Sequence, residues 1–239
     1  MTRFNDEGYI INMKKHGESS AILTVLTRHN GKIVGFAKNC LSRKNLGVYQ
    51  LGNQVAVDAY ARVDENMLSL KVELIAPTAV NFLSSPQKLE VLASFCELCN
   101  ACMPEQMALD RLYGFVDGFF NLILKDNWIV HYCYFEFYLL EFLGIALDLT
   151  ECSATGSTEN LAFVSPKTGK AVCLEAGLPY RERLFAFPGF ILRQEYNPSA
   201  AEIENLLKMT GFFLNKNFFA SHGLKFPSNR ANLLHNLGF

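Results

Sequence analysis

Five basic side chains, Arg28, Lys32, Lys38, Arg43 and Lys44, fall between Glu18 and Asp58, and no acidic residue separates them. Such a stretch can neutralise phosphates and release the counterions condensed on a nucleic acid. The plainer reading is a solvated loop whose charge is incidental. Lys14, Lys15 and Arg3 extend the same basic surface. Phe36, Tyr49 and Tyr60 lie within or beside it, and aromatics in single-strand binders stack bases, although most strand aromatics serve a core. A second acid-free stretch follows Glu204 and carries Lys208, Lys216, Lys225 and Arg230. Its segment Lys225-Phe-Pro-Ser-Asn-Arg230 is a candidate receptor for an acidic tail or a phosphate, set against a simple solvated terminus.

Cysteine is the other chemistry-bearing residue. Cys152 and Cys173 have the separation of two C-x2-C pairs in a zinc ribbon, but Thr155 and Ala176 stand where the second thiolates belong. Two thiolates do not close a tetrahedral site, so no metal is expected. Cys96, Cys99 and Cys102 recur every three residues, which places them on one helix face as a core stripe rather than a cluster site. The five histidines are scattered, and there is no P-loop, no G-x-G-x-x-G, no G-x-S-x-G elbow and no H-E-x-x-H. Without those phosphate-cradling and nucleophile-positioning devices no catalytic residue and no cofactor is assigned.

The elements that must carry these residues divide into strands, then helices. Period-two and β-rich runs at 9–13, 21–27, 32–37, 54–61 and 67–74 predict five short strands. Asn30-Gly31 marks a hairpin between the second and third, in the form of a tight primed turn. Five such strands suit a small closed barrel of the OB type. Beyond Pro77 the period becomes helical, predicting helices over 86–103, 105–124, 129–143 and 199–219. Ser199 and Glu202 are spaced as a capping box. Between the last two helices, residues 150–177 are rich in Gly, Ser and Thr and read as a small inserted module. The whole is α+β, with half its residues apolar and a formal charge of −1. The opening residues lack a secretory pattern and the apolar run 128–149 is broken by His131, Glu136 and Glu141, so a cytoplasmic, non-membrane protein with mostly reduced thiols is expected.

The order of these features resembles the RecO family. The phrase from Gly8-Tyr-Ile-Ile-Asn-Met-Lys-Lys to Leu-Thr27, then Gly31 and Gly35-Phe-Ala-Lys38, is similar to that family's opening strands, and Arg43-Lys44 falls in its basic loop. Phe135-Glu136-Phe-Tyr-Leu-Leu140-Glu-Phe-Leu-Gly144, leading to Cys152, resembles the helix before its zinc-ribbon-like insert. Gly223-Leu-Lys225-Phe-Pro-Ser-Asn-Arg230 resembles its closing motif. One departure is Asn39, where a glycine usually follows the lysine. Asn tolerates positive φ better than most residues.

The resemblance implies an OB-fold domain over 1–78, a helical domain in two parts, 79–150 and 178–239, and a degenerate zinc-ribbon-like insert over 151–177. It also implies a non-catalytic, nucleoid-associated mediator of recombination in DNA repair. Such a protein binds single-stranded and also double-stranded DNA and anneals complementary strands; the candidate DNA contacts read from this chain's basic stretches are Lys14, Lys15, Arg28, Lys32, Lys38, Arg43 and Lys44. Its implied partners are RecR, the acidic C-terminal tail of the single-strand-binding protein and, indirectly, the recombinase RecA; Lys225 and Arg230 are this chain's candidates for receiving the tail. The rival class is a protein-interaction adaptor that makes no direct DNA contact.

Overall fold

The computed structural model describes residues 2–61, 67–107, 110–122, 127–195 and 197–239. The chain forms two compact units, Met1–Leu124 and Lys125–Phe239.

The first unit is built on five strands, β1 (Thr2–His16), β2 (Ser20–Thr27), β3 (Gly31–Ala37), β4 (Gln54–Ala61) and β5 (Leu68–Ala76). They close a barrel in the order β1-β2-β3-β5-β4, with β4 returning to β1 and a parallel seam between β3 and β5. This is the expected OB-type barrel. Its interior is filled by Ile10, Leu23, Val25, Ile33, Val55, Val57 and Leu70, together with Ala21, Ala37 and Ala59.

The sequence places the first strand at 9–13, whereas β1 spans fifteen residues. Residues 2–7 are mostly polar, so no apolar alternation advertises them. They pair with β4, from Thr2 opposite Ala61 to Tyr9 opposite Gln54, while Gly8 to His16 pair with β2. One strand therefore serves both neighbours, which closes the sheet. A bulge between Ile10 and Asn12 lets Ile10 and Ile11 both be buried, as an extra residue bends and twists a strand. At the handover stands Gly8, where an added Cβ would lie 2.2 Å from the Leu26 carbonyl oxygen.

The β2–β3 hairpin forms, but not through the expected two-residue primed turn. Thr27 pairs with Gly31, so the loop has three residues and only Gly31 takes positive φ, at 65°. Gly31, the first residue of β3, supplies the left-handed conformation where the loop rejoins the sheet. The Asp6 carboxylate selects this loop by accepting from the amides of His29 and Asn30, both at 3.0 Å, and from Asn30 Nδ2 at 2.7 Å.

Two helices belong to the same unit, α1 (Pro86–Cys102) and α2 (Asp110–Leu122). Ser85 caps α1 by accepting from the Lys88 amide, and Pro86 occupies the first turn, where its missing N–H costs nothing. Tyr9 points outward from the barrel, stacks on Phe120 with centroids 4.2 Å apart and donates to Asp117 at 2.7 Å. Phe95 stacks on Phe119 at 4.0 Å. Cys96, Cys99 and Cys102 are buried in this second core, and burial pushes all three thiols up.

The second unit contains α3 (Trp128–Phe142), β6 (Leu161–Val164), β7 (Ala171–Cys173), α4 (Leu174–Gly177), β8 (Phe185–Ala186), α5 (Gly189–Leu192), α6 (Ala200–Leu214), α7 (Ser228–Ala231) and α8 (Leu233–Leu237). Ser199 and Glu202 make both bonds of the capping box at the start of α6. The helix continues through a π-helical turn, Asn215–Phe219, to the predicted end. β6 lies between β7 and β8 in a small antiparallel sheet, whose third strand lies beyond the polar segment 150–177. Among the described residues no helix is long and apolar enough to cross a membrane.

Candidate nucleic-acid interface

Strand register decides which of the predicted cations meet. Lys15 is opposite Ala21, which is opposite Ala37, the residue before Lys38. Lys14, Lys15 and Lys38 therefore share one end of the barrel. The loop after β3 folds back onto that end: the Leu41 amide donates to the Ser19 carbonyl at 2.9 Å, and Cys40 is buried in the barrel core. Asn39 takes φ 54°, a left-handed conformation that Asn tolerates better than most residues, and its carbonyl accepts from Asn45 Nδ2 at 3.0 Å. Arg43 and Lys44 ride on the turn so formed, and both are exposed. No ion pair among the described residues involves Lys14, Lys15, Lys38, Arg43 or Lys44.

Arg28 and Lys32 belong to the opposite end. They flank the β2–β3 hairpin, six residues of β2 away from Ala21, or roughly 20 Å at the rise of an extended strand. Arg28 is exposed but pairs with Glu7 at 2.9 Å. Lys32 is only 8% exposed and donates to the Asn100 carbonyl at 2.8 Å. Burial lowers its pKa, partly offset by Glu105. Its ammonium is committed to the protein, which removes Lys32 from the phosphate-binding set. Arg3 donates from Nε and Nη2, along one edge of its guanidinium, to the two oxygens of Asp58 at 3.1 and 2.8 Å.

The aromatics separate in the same way. Tyr49 is buried in the barrel core and is unavailable to a base. Phe36 is opposite Ser69, which is opposite Tyr60. Residues directly paired across strands point to the same face, and continuing the row gives Lys14, Ile22, Phe36, Ser69, Tyr60 and Arg3 on the outside of the barrel. Phe36 and Tyr60 are half-buried there, and His16 packs edge-on against Phe36 at 5.6 Å. The sequence offered no signal for His16, whose partner is on a different strand.

Of the predicted tail-binding pair, Lys225 is exposed in the approach to α7, but Arg230 is not. Arg230 is 3% exposed and pairs with Glu136, which is 0% exposed; its Nη2 donates to Glu136 Oε2 at 2.9 Å. The Tyr132 and Thr210 hydroxyls donate to the same carboxylate. Arg230 thus holds the C-terminal turn to α3 and α6, and cannot receive an acidic tail without abandoning a buried charge. The sequence reading missed this because the partner stands 94 residues away.

The insert does not assemble a zinc site. Cys152 and Cys173 are brought together, Thr155 supplies a hydroxyl 3.7 Å from the Cys173 sulfur, and Ala176 packs against the pair as an apolar side chain. Among the described residues no group of three or more His, Cys, Asp or Glu is placed to hold a metal. Two sulfurs and a hydroxyl do not fit tetrahedral zinc.

Comparison with known proteins covers both units. Residues 1–78 match the family model described as "Recombination protein O N terminal", and residues 83–222 match "Recombination protein O C terminal". The chain is 35% identical over 236 residues to the "DNA repair protein RecO" of Bartonella quintana, covering 97% of this chain and 96% of that protein. It is 36% identical over 230 residues to the protein of that name from Rhodospirillum centenum, covering 95% and 92% of the two chains. Against that of Wolbachia pipientis wMel it is 37% identical over 240 residues, covering 97% and 99%.

Proposed function

Since the chain belongs to the RecO family, we propose that it is a non-catalytic recombination mediator in DNA repair, acting at the nucleoid in the cytoplasm. It binds single-stranded DNA at the end of the barrel that carries Lys14, Lys15, Lys38, Arg43 and Lys44. The observation that carries this reading is the convergence of five exposed cations, none in an ion pair among the described residues, beside two half-buried aromatics on one outer row. The cations neutralise phosphates, and Phe36 and Tyr60 offer ring faces to bases. Neutralising two strands at once lowers their mutual repulsion and lets complementary bases pair, which is annealing; double-stranded DNA is held by the same charges. With RecR, this allows RecA to replace the single-strand-binding protein, whose acidic tail docks near Lys225. Arg28, already paired, contributes at most long-range attraction.

The test is fluorescence anisotropy of a labelled oligonucleotide across a salt series, comparing the wild type with Lys38→Glu/Arg43→Glu/Lys44→Glu. With four or five phosphates neutralised, log affinity should fall against log salt with a slope of about −3, at roughly 0.7 per contact. The triple variant should lose most of the binding. No binding by the folded wild type would instead leave the barrel as a scaffold for protein contacts.

A further inference from the structure

Seven cysteines are all reduced and buried, yet they do not share one environment. Burial pushes the thiols of Cys40, Cys96, Cys99, Cys102 and Cys133 up, which keeps them protonated and inert. Cys152 and Cys173 differ because they face each other. Residues 152–157 form a closed turn: the Cys152 amide donates to Ser157 at 2.7 Å, and the Gly156 amide donates back to Cys152 at 2.8 Å. The Ser153 amide donates to the Ala171 carbonyl at 2.9 Å, which pins this turn to β7, and β7 ends in Cys173. The two side chains, 1% and 6% exposed, share one small apolar cluster with Val172.

Polar groups converge on the sulfurs. Burial alone would raise the Cys152 thiol, but hydrogen bonds from the Thr155 hydroxyl, the amides of Cys173 and Ala154, and the Cys173 thiol outweigh it and bring it to about 6. Thr155 also reaches the Cys173 sulfur at 3.7 Å. Two cysteines that share one small cluster with the Thr155 hydroxyl beside them, and no third donor among the described residues to make a metal site, are placed as an attacking and a resolving cysteine.

We propose that Cys152 and Cys173 are a modification site for hydroperoxides, which oxidise the facing pair to an intramolecular disulfide. The Cys152 thiolate attacks the terminal peroxide oxygen; an S–O bond forms, the O–O bond breaks, and hydroxide leaves from hydrogen peroxide or the alkoxide from an alkyl hydroperoxide. The Cys173 sulfur then attacks the resulting sulfenic acid and gives up its proton. An S–S bond forms, the S–O bond breaks, and water departs. The pair loses two electrons and the peroxide gains them. The product ties the turn 152–157 to β7 covalently, across the hydrogen bonds that already join them.

The experiment treats the folded full-length protein with equimolar hydrogen peroxide, then denatures, alkylates and counts thiols by intact mass with disulfide mapping. The expected result is a loss of two of the seven thiols, a linked peptide containing Cys152 and Cys173, no covalent dimer, and recovery of all seven on treatment with dithiothreitol. Cys173→Ser should leave a sulfenic acid on Cys152 that dimedone traps, and Cys152→Ser should abolish the two-thiol loss. Seven thiols surviving in the wild type, oxidation spread over the other cysteines, or linkage only between chains would each overturn the proposal. Because the primary readout is on the wild type, a variant that misfolds does not rescue it.

Discussion

Removing the Arg230 guanidinium would leave the Glu136 carboxylate buried among two hydroxyls with no counter-charge. Breaking a buried ion pair from one side typically costs about 3–5 kcal/mol, whereas replacing both partners by apolar groups is often close to neutral. Arg230→Ala is therefore expected to lower the urea midpoint sharply, and Arg230→Met/Glu136→Leu to restore most of it. Equal midpoints for wild type and Arg230→Ala would refute the assignment. Asp6 invites a pH experiment. Burial resists its ionisation, but hydrogen bonds from Asn30, Glu7, His29 and Thr27 prevail and hold its pKa below the ordinary carboxylate value. A depressed folded pKa contributes stability above the unfolded value of about 4, lost as pH falls through the folded one. The stability gap between wild type and Asp6→Ala should be widest above about pH 5 and shrink on acidification. A gap that grows in acid would reverse the sign. Neither role was legible in the sequence, since residue type alone does not reveal which charges a fold pairs. Lys32 and Arg230 looked like surface cations because lysine and arginine nearly always are.

Elements were more legible where a single stretch of chain contains its own instructions. The capping box at Ser199 and Glu202 was readable because both partners are three residues apart, and the predicted helix starts there. Ser199→Ala should cost about 1 kcal/mol of stability, measured by thermal unfolding. The β2–β3 hairpin was readable as an event but not as a turn type, because Asp6, from another strand, supplies the bonds that choose it. Gly31 is fixed on two counts: its φ is positive, and an added Cβ would stand 2.0 Å from the Met107 carbonyl oxygen. Gly31→Ala should cost about 2 kcal/mol or more, since strain and backbone displacement add. A loss below half of that in chemical denaturation would mean the Met107 segment yields easily. The first strand was half-hidden because its leading residues are polar apart from Phe4, too few apolar positions to show an alternation. The scattering of the cations between two barrel ends was hidden by register, a quantity no stretch of sequence holds alone.

At the scale of the molecule, the first compact unit ends at Leu124 and so includes α1 and α2 with the barrel. Tyr9 explains why. Its ring, outside the barrel, is covered by Phe120, and its hydroxyl is bonded to Asp117. A fragment of residues 1–124 is expected to unfold cooperatively, whereas 1–78 exposes Tyr9 and its neighbours and should melt lower or associate. Circular dichroism melts with sedimentation of both fragments decide this; equal melting of two monomeric fragments would show the helices to be dispensable. The change from strands to helices after Pro77 was plain from periodicity, but where a compact unit ends depends on which faces cover each other.

The outer row of the barrel sets a stride. Phe36 and Tyr60 are two strand spacings apart, with Ser69 between them, or about 10 Å. The rise of a stacked strand is about 3.4 Å per nucleotide. Bases seated on these two rings cannot be stacking neighbours of one another. A strand held in this way would run about three nucleotide steps from one ring to the other. A base whose face is taken by a ring would be unable to stack in a helix there until the ring lets go, so the same contacts that capture a strand would also time its release into a duplex.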